Sequence, residues 1–581
     1  MPKSIDEIRI NNIKGISSLS LKFNGLFENR LNILVAPNGF GKTSFAVGFD
    51  SMSSVQINLQ KDDLHNGSTS LVPKIELDIT DSNNMTTYIV NNTSNNLSSA
   101  YDVSVIKSRL YSKTSQGYGK VKATSKFAHK ELELVSSIPR TTNLGYLKSN
   151  FNSKFPVHRN EVLHIEDFLK ANPNLMLSIL HNIDLSRMGQ VRVANVLVKI
   201  EQGDGNTSLV SSILADIQQI DFLDELFETL GNYIDQNELM KKLVSLYQLV
   251  SLIRTSRTVF MNFLKRELYK GWKARLNSIV QVINTAGASQ ISLTENAGKL
   301  KFNLSNVTKM SNGQRDVVSF VSQLYRTEYE FLYKSSNENS IVIIDEIFDY
   351  LDNANIITCQ YFISKFLEDF KLRNKNIFPL ILTHLAPAEF DTYRLKKVKC
   401  HFLQPRQSRV QNQDLRNMIK ARADRTITDT ESEELSAYYL HYHSTSFSNP
   451  PAIGLSNSSL DNQTFYQALD LELQNFIGGG NNYDPFSICA AIRIRAEKKI
   501  YNSLNPGDQA QFLRERGTNN KLEYASSKGV SIPEIFYLMG VLYNEALHVK
   551  GHQFSYYESK IDHQIKNTTI CNLIKEIESM T

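Results

Sequence analysis

The run Ala36-Pro37-Asn38-Gly39-Phe40-Gly41-Lys42-Thr43-Ser44 sets two glycines, a lysine and two hydroxyls at a spacing that suits a bound phosphate. Backbone N–H groups of a glycine-rich turn and of a helix start can point at the anion. The lysine ammonium then reaches the β- and γ-phosphates, and the Thr43 hydroxyl is placed for Mg²⁺. Ala36 stands where the first glycine of this pattern usually is. A second chemistry-bearing group closes the apolar run Ile341-Val342-Ile343-Ile344 with Asp345 and Glu346. Carboxylates at the C-terminal end of a buried strand lie where α/β sheets bind ligands. Asp345 suits the Mg²⁺ shell, and Glu346 suits the general base that polarises an attacking water. Phe378 to Thr383 is another buried apolar run, and His384 after it is suited to sensing a terminal phosphate through its imidazole.

A third group, Ser311-Asn312-Gly313-Gln314-Arg315, precedes a helical pattern whose apolar face is Val317, Val318, Phe320, Val321 and Leu324. Ser311 and Gly313 can cap that helix and turn its positive end toward an anion. In these residues the chain resembles the ABC ATPases, whose signature reads Leu-Ser-Gly-Gly-Gln; Met310 replaces the leucine, and Asn312 is the substantial departure. Tyr350-Leu351-Asp352 resembles the family's D-loop, and the order P-loop, signature, Asp-Glu strand, D-loop, His384 is the family's order. Within the family the resemblance is to the SMC and RecF branch, and it implies ATP and Mg²⁺ as cofactors. It also implies a dimer or higher oligomer of heads in which Ser311, Asn312, Gly313 and Gln314 of one copy close over the ATP held by Asn38 to Ser44 of another, beside Asp352. The family's Q-loop glutamine falls near Gln116, with Arg109 as the other occupant of that region.

The elements that must position these residues are legible in outline. Ile8 to Phe23 reads as two strands and a turn, Leu31 to Val35 as a buried strand running into the glycine-rich loop, and Ser53 to Leu59, Lys74 to Ile79 and Thr86 to Val90 as alternating stretches. From Phe127 helical periodicity takes over through Ile165 to Leu180, Leu209 to Leu230 and Met240 to Ile283, without the heptads of a long coiled coil. The expected fold is α/β, an ABC-type SMC-like P-loop head (1–126 and 289–408) with a helical insertion (127–288), a connector (409–464) rich in Ser, Asn and Pro, and a mainly helical C-terminal module (465–581).

In that module, Phe486 to Asn502 reads as a helix with Arg493 and Glu497 on one face, and Ile535 to His548 as a second helix ending in Asn544-x-x-x-His548. The pairing is similar to the anticodon nucleases PrrC and RloC, in which an ABC head is fused to a HEPN-type ribonuclease. The resemblance implies His548 as proton carrier, Arg493 as stabiliser of the phosphate charge and Glu497 as their positioning group, acting on tRNA. The separation of Glu497 and His548 and the lack of a cysteine hook depart from that pattern. A competing resemblance is to the ATPases of the Septu and retron anti-phage systems, which pair with a separate HNH nuclease subunit or, in retrons, with an msDNA and reverse transcriptase complex. Both place the chain in phage defence; a DNA repair ATPase of RecF type and a nucleotide-locked scaffold without turnover stand as alternatives.

Composition sets the remaining bounds. With 64 Lys plus Arg against 59 Asp plus Glu, the net charge of +5 gives no global basic field, so any contact with RNA or DNA must be local. The four cysteines form no C-x-x-C pair, which excludes a zinc ribbon and a disulfide framework. The N-terminus has no apolar signal core, and no stretch approaches the ~20 apolar residues of a membrane span. A cytoplasmic protein with no membrane partner is expected.

Overall fold

A computed structural model describes residues 3–107, 131–140, 144, 151–159, 165–181, 183, 186–235, 238–284, 291–304, 310–349, 351–385, 399–403, 411–447, 449–549 and 554–580. In chain order the strands are β1 (Ser4–Ile13), β2 (Ile16–Phe27), β3 (Asn32–Val35), β4 (Lys74–Asp81), β5 (Asn84–Asn91), β6 (Tyr101–Lys107), β7 (Glu131–Val135), β8 (Ile291–Asn296), β9 (Lys299–Leu304), β10 (Asn339–Asp345), β11 (Asn376–Thr383) and β12 (Lys399–Phe402). The chain divides into two units, one of Met1–Leu110 with Asn337–Thr581 and one of Tyr111–Ser336.

The first unit begins with alternating isoleucines. Ile8 and Ile10 point into the core from β1, and a bulge between Ile5 and Glu7 keeps Ile5 on the same face despite the odd spacing. β1 pairs antiparallel with β2 and β4 in a four-stranded sheet of order β2-β1-β4-β5. Arg9 crosses its exposed face to Glu76 and Asp78. The stretch Ser53 to Leu59 forms no strand, only an isolated bridge between Met52 and Ile57; Ser53 donates locally to the Gln56 carbonyl, and the Ser54 carbonyl accepts from Ser98 instead of pairing along a ladder.

The central sheet has five strands in the order β12-β3-β11-β10-β6, and every pairing is parallel. β3, β10 and β11 are buried on both faces, which explains their unbroken apolar runs. The register sets Val35 opposite Thr383 and Asp345 opposite Leu382, so the three strands end side by side. That edge carries the P-loop, Asp345-Glu346 and His384.

Also in the first unit, helices Asn462–Ile477, Pro485–Ser503, Gly540–Leu547, Phe554–Lys566 and Thr568–Met580 enclose one apolar core built around Phe465, Phe486, Ile492, Phe536 and Ile561. The stretch expected as a connector contributes to the same core: Leu415, Met418 and Ile419 of helix Gln413–Ala423, Leu435 and Tyr439 are all buried there. Within it Ser456 and Ser459 both donate to Asp414, and Arg416 pairs with Asp484 and Glu558 of the helical module. The segment 535–548 is two short helices, Glu534–Leu538 and Gly540–Leu547, separated at Met539.

The second unit holds the helical insertion. Its largest element, Leu239–Asn284, carries one non-helical residue, Ser256 at φ −145° and ψ 42°, and packs Leu243, Leu246, Phe260 and Leu264 into a core shared with Phe168, Leu197, Leu223 and Leu226. Strands β8 and β9 join β7 in a separate antiparallel sheet of order β7-β9-β8. The chain is thus an α/β protein with a P-loop head, a helical insertion and a mainly helical C-terminal part. Among the described residues, no helix is long and apolar enough to cross a membrane.

Candidate functional site

The phosphate loop is tied to the sheet at its first residue, where the Ala36 N–H donates to the Thr383 carbonyl at 2.9 Å. Gly39 and Gly41 take φ of +87° and +85°, conformations that side chains disfavour, and Gly41 leads into helix Lys42–Asp50. Lys42 is 3% exposed. Its ammonium donates to the Ala36 carbonyl at 2.9 Å, the Pro37 carbonyl at 3.3 Å and Asn38 Oδ1 at 3.1 Å, and lies 3.6 Å from Glu346 Oε1. Burial pulls its pKa down, and the Glu346 and Asp349 carboxylates oppose that. The Thr43 side chain is exposed, whereas Ser44 is buried and accepts from the Gly15 N–H at 3.2 Å. Ser44 therefore joins the loop helix to the β1–β2 turn through its side chain.

Asp345 ends β10 with Oδ1 buried and without a hydrogen-bond partner. Burial, reinforced by the neighbouring Glu346 charge, pushes its pKa up to about 6. A buried carboxylate oxygen without a donor is an unfavourable arrangement unless a cation serves it. Among the described residues no group of three or more His, Cys, Asp or Glu could ligate a metal by itself. Mg²⁺ keeps several waters and is bound by one or two carboxylates plus substrate phosphates, a demand that a single buried carboxylate can meet. Asp345 and Thr43 thus fit the role of holding it. Glu346 has φ +51°, a strained value for a non-glycine residue, and its N–H donates to the Leu382 carbonyl at 3.0 Å.

His384 has a partner that sequence reasoning missed. Asp349 is fully buried at its side chain; Oδ2 lies 2.7 Å from His384 Nδ1, the His384 N–H donates to the same carboxylate, and Thr383 Oγ1 donates to Oδ1. The signal was present in the spacing Asp345-Glu346-Ile347-Phe348-Asp349, a third acid after the pair. Asp352 caps helix Asn353–Leu372, accepting from the Asn355 N–H at 2.9 Å. Tyr350, Arg109 and Gln116 lie outside the described residues.

In the second unit, Ser311 is the N-cap of helix Asn312–Tyr329 and forms a capping box with Gln314. The Gln314 N–H donates to Ser311 Oγ at 3.2 Å, and the Ser311 N–H donates to Gln314 Oε1 at 3.1 Å. Gly313 follows in the first turn, partly buried, and Arg315 donates to the Met310 carbonyl at 2.9 Å.

In the C-terminal module, Arg493 and Glu497 both point inward from helix Pro485–Ser503, but to different partners. Arg493, 1% exposed, donates to Asn544 Oδ1 and to the Leu440 carbonyl, and stacks over Tyr543. Glu497, fully buried, accepts from His441 Nδ1 at 2.7 Å, the Tyr442 N–H at 2.9 Å, Thr518 Oγ1 at 2.7 Å and Lys521 Nζ at 3.2 Å. Burial would raise the Glu497 carboxyl, but His441 and Lys521 outweigh it and hold the pKa well below the usual range. His548 follows the helix of Asn544 with solvent access. Desolvation, then the charges of Arg493 and Arg422, lower its pKa to about 4, so the imidazole is neutral near pH 7. Arg422, His441, Thr518 and Lys521 are the residues of this cluster that no motif announced.

The chain matches no protein-family model and no curated protein. Among solved structures it is similar to an SMC head bound to the C-terminal winged-helix domain of ScpA, at 9% identity and TM-score 0.24 over 65% of this chain and 90% of that one. It is similar also to the recombination mediator RecF with ATPrS, at 11% identity and TM-score 0.24 over 69% and 96%, and to RecF with ATP, at 11% and 0.19 over 66% and 93%. Superpositions this loose carry no weight beside the strand order and loop geometry above.

Proposed function

We propose that the chain is an ABC-type ATPase of the SMC and RecF kind, hydrolysing ATP at the Lys42, Asp345, Glu346 and His384 edge of the central sheet. The observation that carries this reading is the unpartnered Asp345 carboxylate, set by strand register beside the P-loop lysine. Mg²⁺, when bound, supplies charge neutralisation for the β- and γ-phosphates. Lys42 exchanges its loop carbonyls and Glu346 for phosphate oxygens, leaving Glu346 to accept the proton of the attacking water. His384, held by Asp349, donates toward the terminal phosphate. The capped N-terminus at Ser311 would close on ATP held by a second copy, giving a nucleotide-timed head dimer. ATP turnover by the wild type and by Glu346→Gln tests this: equal rates would leave a nucleotide-locked scaffold.

The output we infer is ribonucleolytic, and its support is the grouping of Arg493, Asn544 and the neutral His548. His548 would take the 2′-OH proton as that oxygen attacks the adjacent phosphorus to give a 2′,3′-cyclic phosphate, the leaving 5′-oxygen taking a proton from water, with Arg493 stabilising the phosphate charge. Glu497, saturated by four donors, holds His441 and Lys521 in place and does not touch RNA. Arg493→Lys or His548→Ala should abolish RNA cleavage while ATP hydrolysis persists. Unchanged cleavage-dependent toxicity in both variants would assign cutting to a partner nuclease subunit. The setting in phage defence follows from the resemblance to PrrC, RloC and the Septu and retron ATPases, and plaque counts on cells carrying the gene test it.

A further inference from the structure

The C-terminal module reaches the phosphate loop itself. His563, on helix Phe554–Lys566, sets its ring edge-on to Phe40 with centroids 5.0 Å apart. A Cβ on Gly39 would come within 2.6 Å of His563 Cε1 and 2.8 Å of Nε2, so the imidazole rests on the loop's glycine face. The helix bearing it is fixed in the C-terminal core by Ile561 and Ile565, both fully buried. One turn back and on the same side, Lys560 pairs with Glu545. Glu545 adjoins Asn544, whose side-chain oxygen accepts from Arg493. The path from the P-loop tip to the proposed RNA site thus runs through helix Phe554–Lys566 to the Lys560–Glu545 pair, and along the backbone of helix Gly540–Leu547 to Asn544 and its Arg493 contact.

We propose that His563 is the contact through which the C-terminal module reads the occupied P-loop, with the Lys560–Glu545 pair passing the change to Asn544 and Arg493. The loop must rearrange its N–H groups around a phosphate, and Gly39 and Phe40 cannot move without displacing the imidazole packed on them. A helix transmits that displacement along its length because its own hydrogen bonds resist bending, and the ion pair one turn away is the next side chain to feel it. The ligand read is MgATP, so the inference rests on the ATPase reading.

Hydrogen exchange of the full chain, with and without MgATP in a Glu346→Gln background, tests it. Titration with a fluorescent ATP analogue on each variant reports binding separately. The expected result is that MgATP changes exchange both in Lys42–Asp50 and in Gly540–Leu547. In His563→Ala and in Lys560→Met, at saturating nucleotide, the first response should persist and the second should be lost. A Gly540–Leu547 response that survives in His563→Ala, or that is missing in the parent protein although nucleotide binds, overturns the proposal. Absence of nucleotide binding altogether would instead sink the ATPase reading.

Discussion

Asp349 Oδ2 lies 2.7 Å from His384 Nδ1, and the same carboxylate takes the His384 N–H and the Thr383 hydroxyl. The buried acid thus anchors the His384 backbone and lies beside its imidazole.

Asp349→Asn should therefore lower kcat for ATP on the order of 10²-fold while nucleotide affinity changes little. Turnover measured beside direct nucleotide titration checks it. A matching loss of affinity would mean that Asp349 supports the loop and not the histidine.

The raised pKa of Asp345 gives a pH signature. Its folded value near 6 exceeds the unfolded 3.8, so the native state binds the extra proton and stability falls as pH rises through that interval. A divalent cation competes with that proton and gains affinity over the same range. The melting temperature should thus respond to Mg²⁺ with ATP more strongly at pH 7.5 than at pH 5. Asp345→Asn should flatten the difference.

Glu497→Ala would leave Lys521 and His441 buried without their acceptor. Breaking such a pair costs about 3–5 kcal/mol, so the C-terminal module should melt several degrees lower. His548→Ala, at an exposed position, should leave the melting temperature in place and remove RNA cleavage. Equal destabilisation by both changes would contradict the division of roles.

Ser311 separates capping from nucleotide contact. Ser311→Ala should destabilise the helix it caps by about 1 kcal/mol. Ser311→Asp keeps an acceptor for the Gln314 N–H but sets a negative charge against the γ-phosphate of a partner's ATP. Its expected outcome is wild-type thermal stability with loss of ATP-dependent dimerisation in light scattering.

The parts of this molecule that were legible in sequence are those whose signal is local. Ile341 to Ile344 announces a strand buried on both faces, and Ser311 ahead of an apolar helical pattern announces the N-cap of its helix. What escaped depends on pairing through space. Asp349 becomes significant only when β10 and β11 lie side by side, and the C-terminal cluster is joined by Arg422 from helix Gln413–Ala423 and by Thr518 and Lys521 from helix Thr518–Ser527. The 409–464 stretch reads as a connector because it is rich in Ser, Asn and Pro. Asp414 and Asn462 instead accept their hydrogen bonds inside the fold.

The place of β3 in the central sheet bears on how the protein is made. Val35 is hydrogen-bonded between β11 and β12, opposite Thr383 on one side and Phe402 on the other. While a chain is still growing from its N-terminus, the strand feeding the P-loop has neither neighbour, and long-range parallel pairing is slow to form once both exist. A ribosome-bound fragment carries Lys42 with the antiparallel sheet of β1, β2, β4 and β5 but without the parallel strands that flank β3. The edge that gathers Lys42, Asp345 and His384 is therefore complete only once synthesis has passed Phe402.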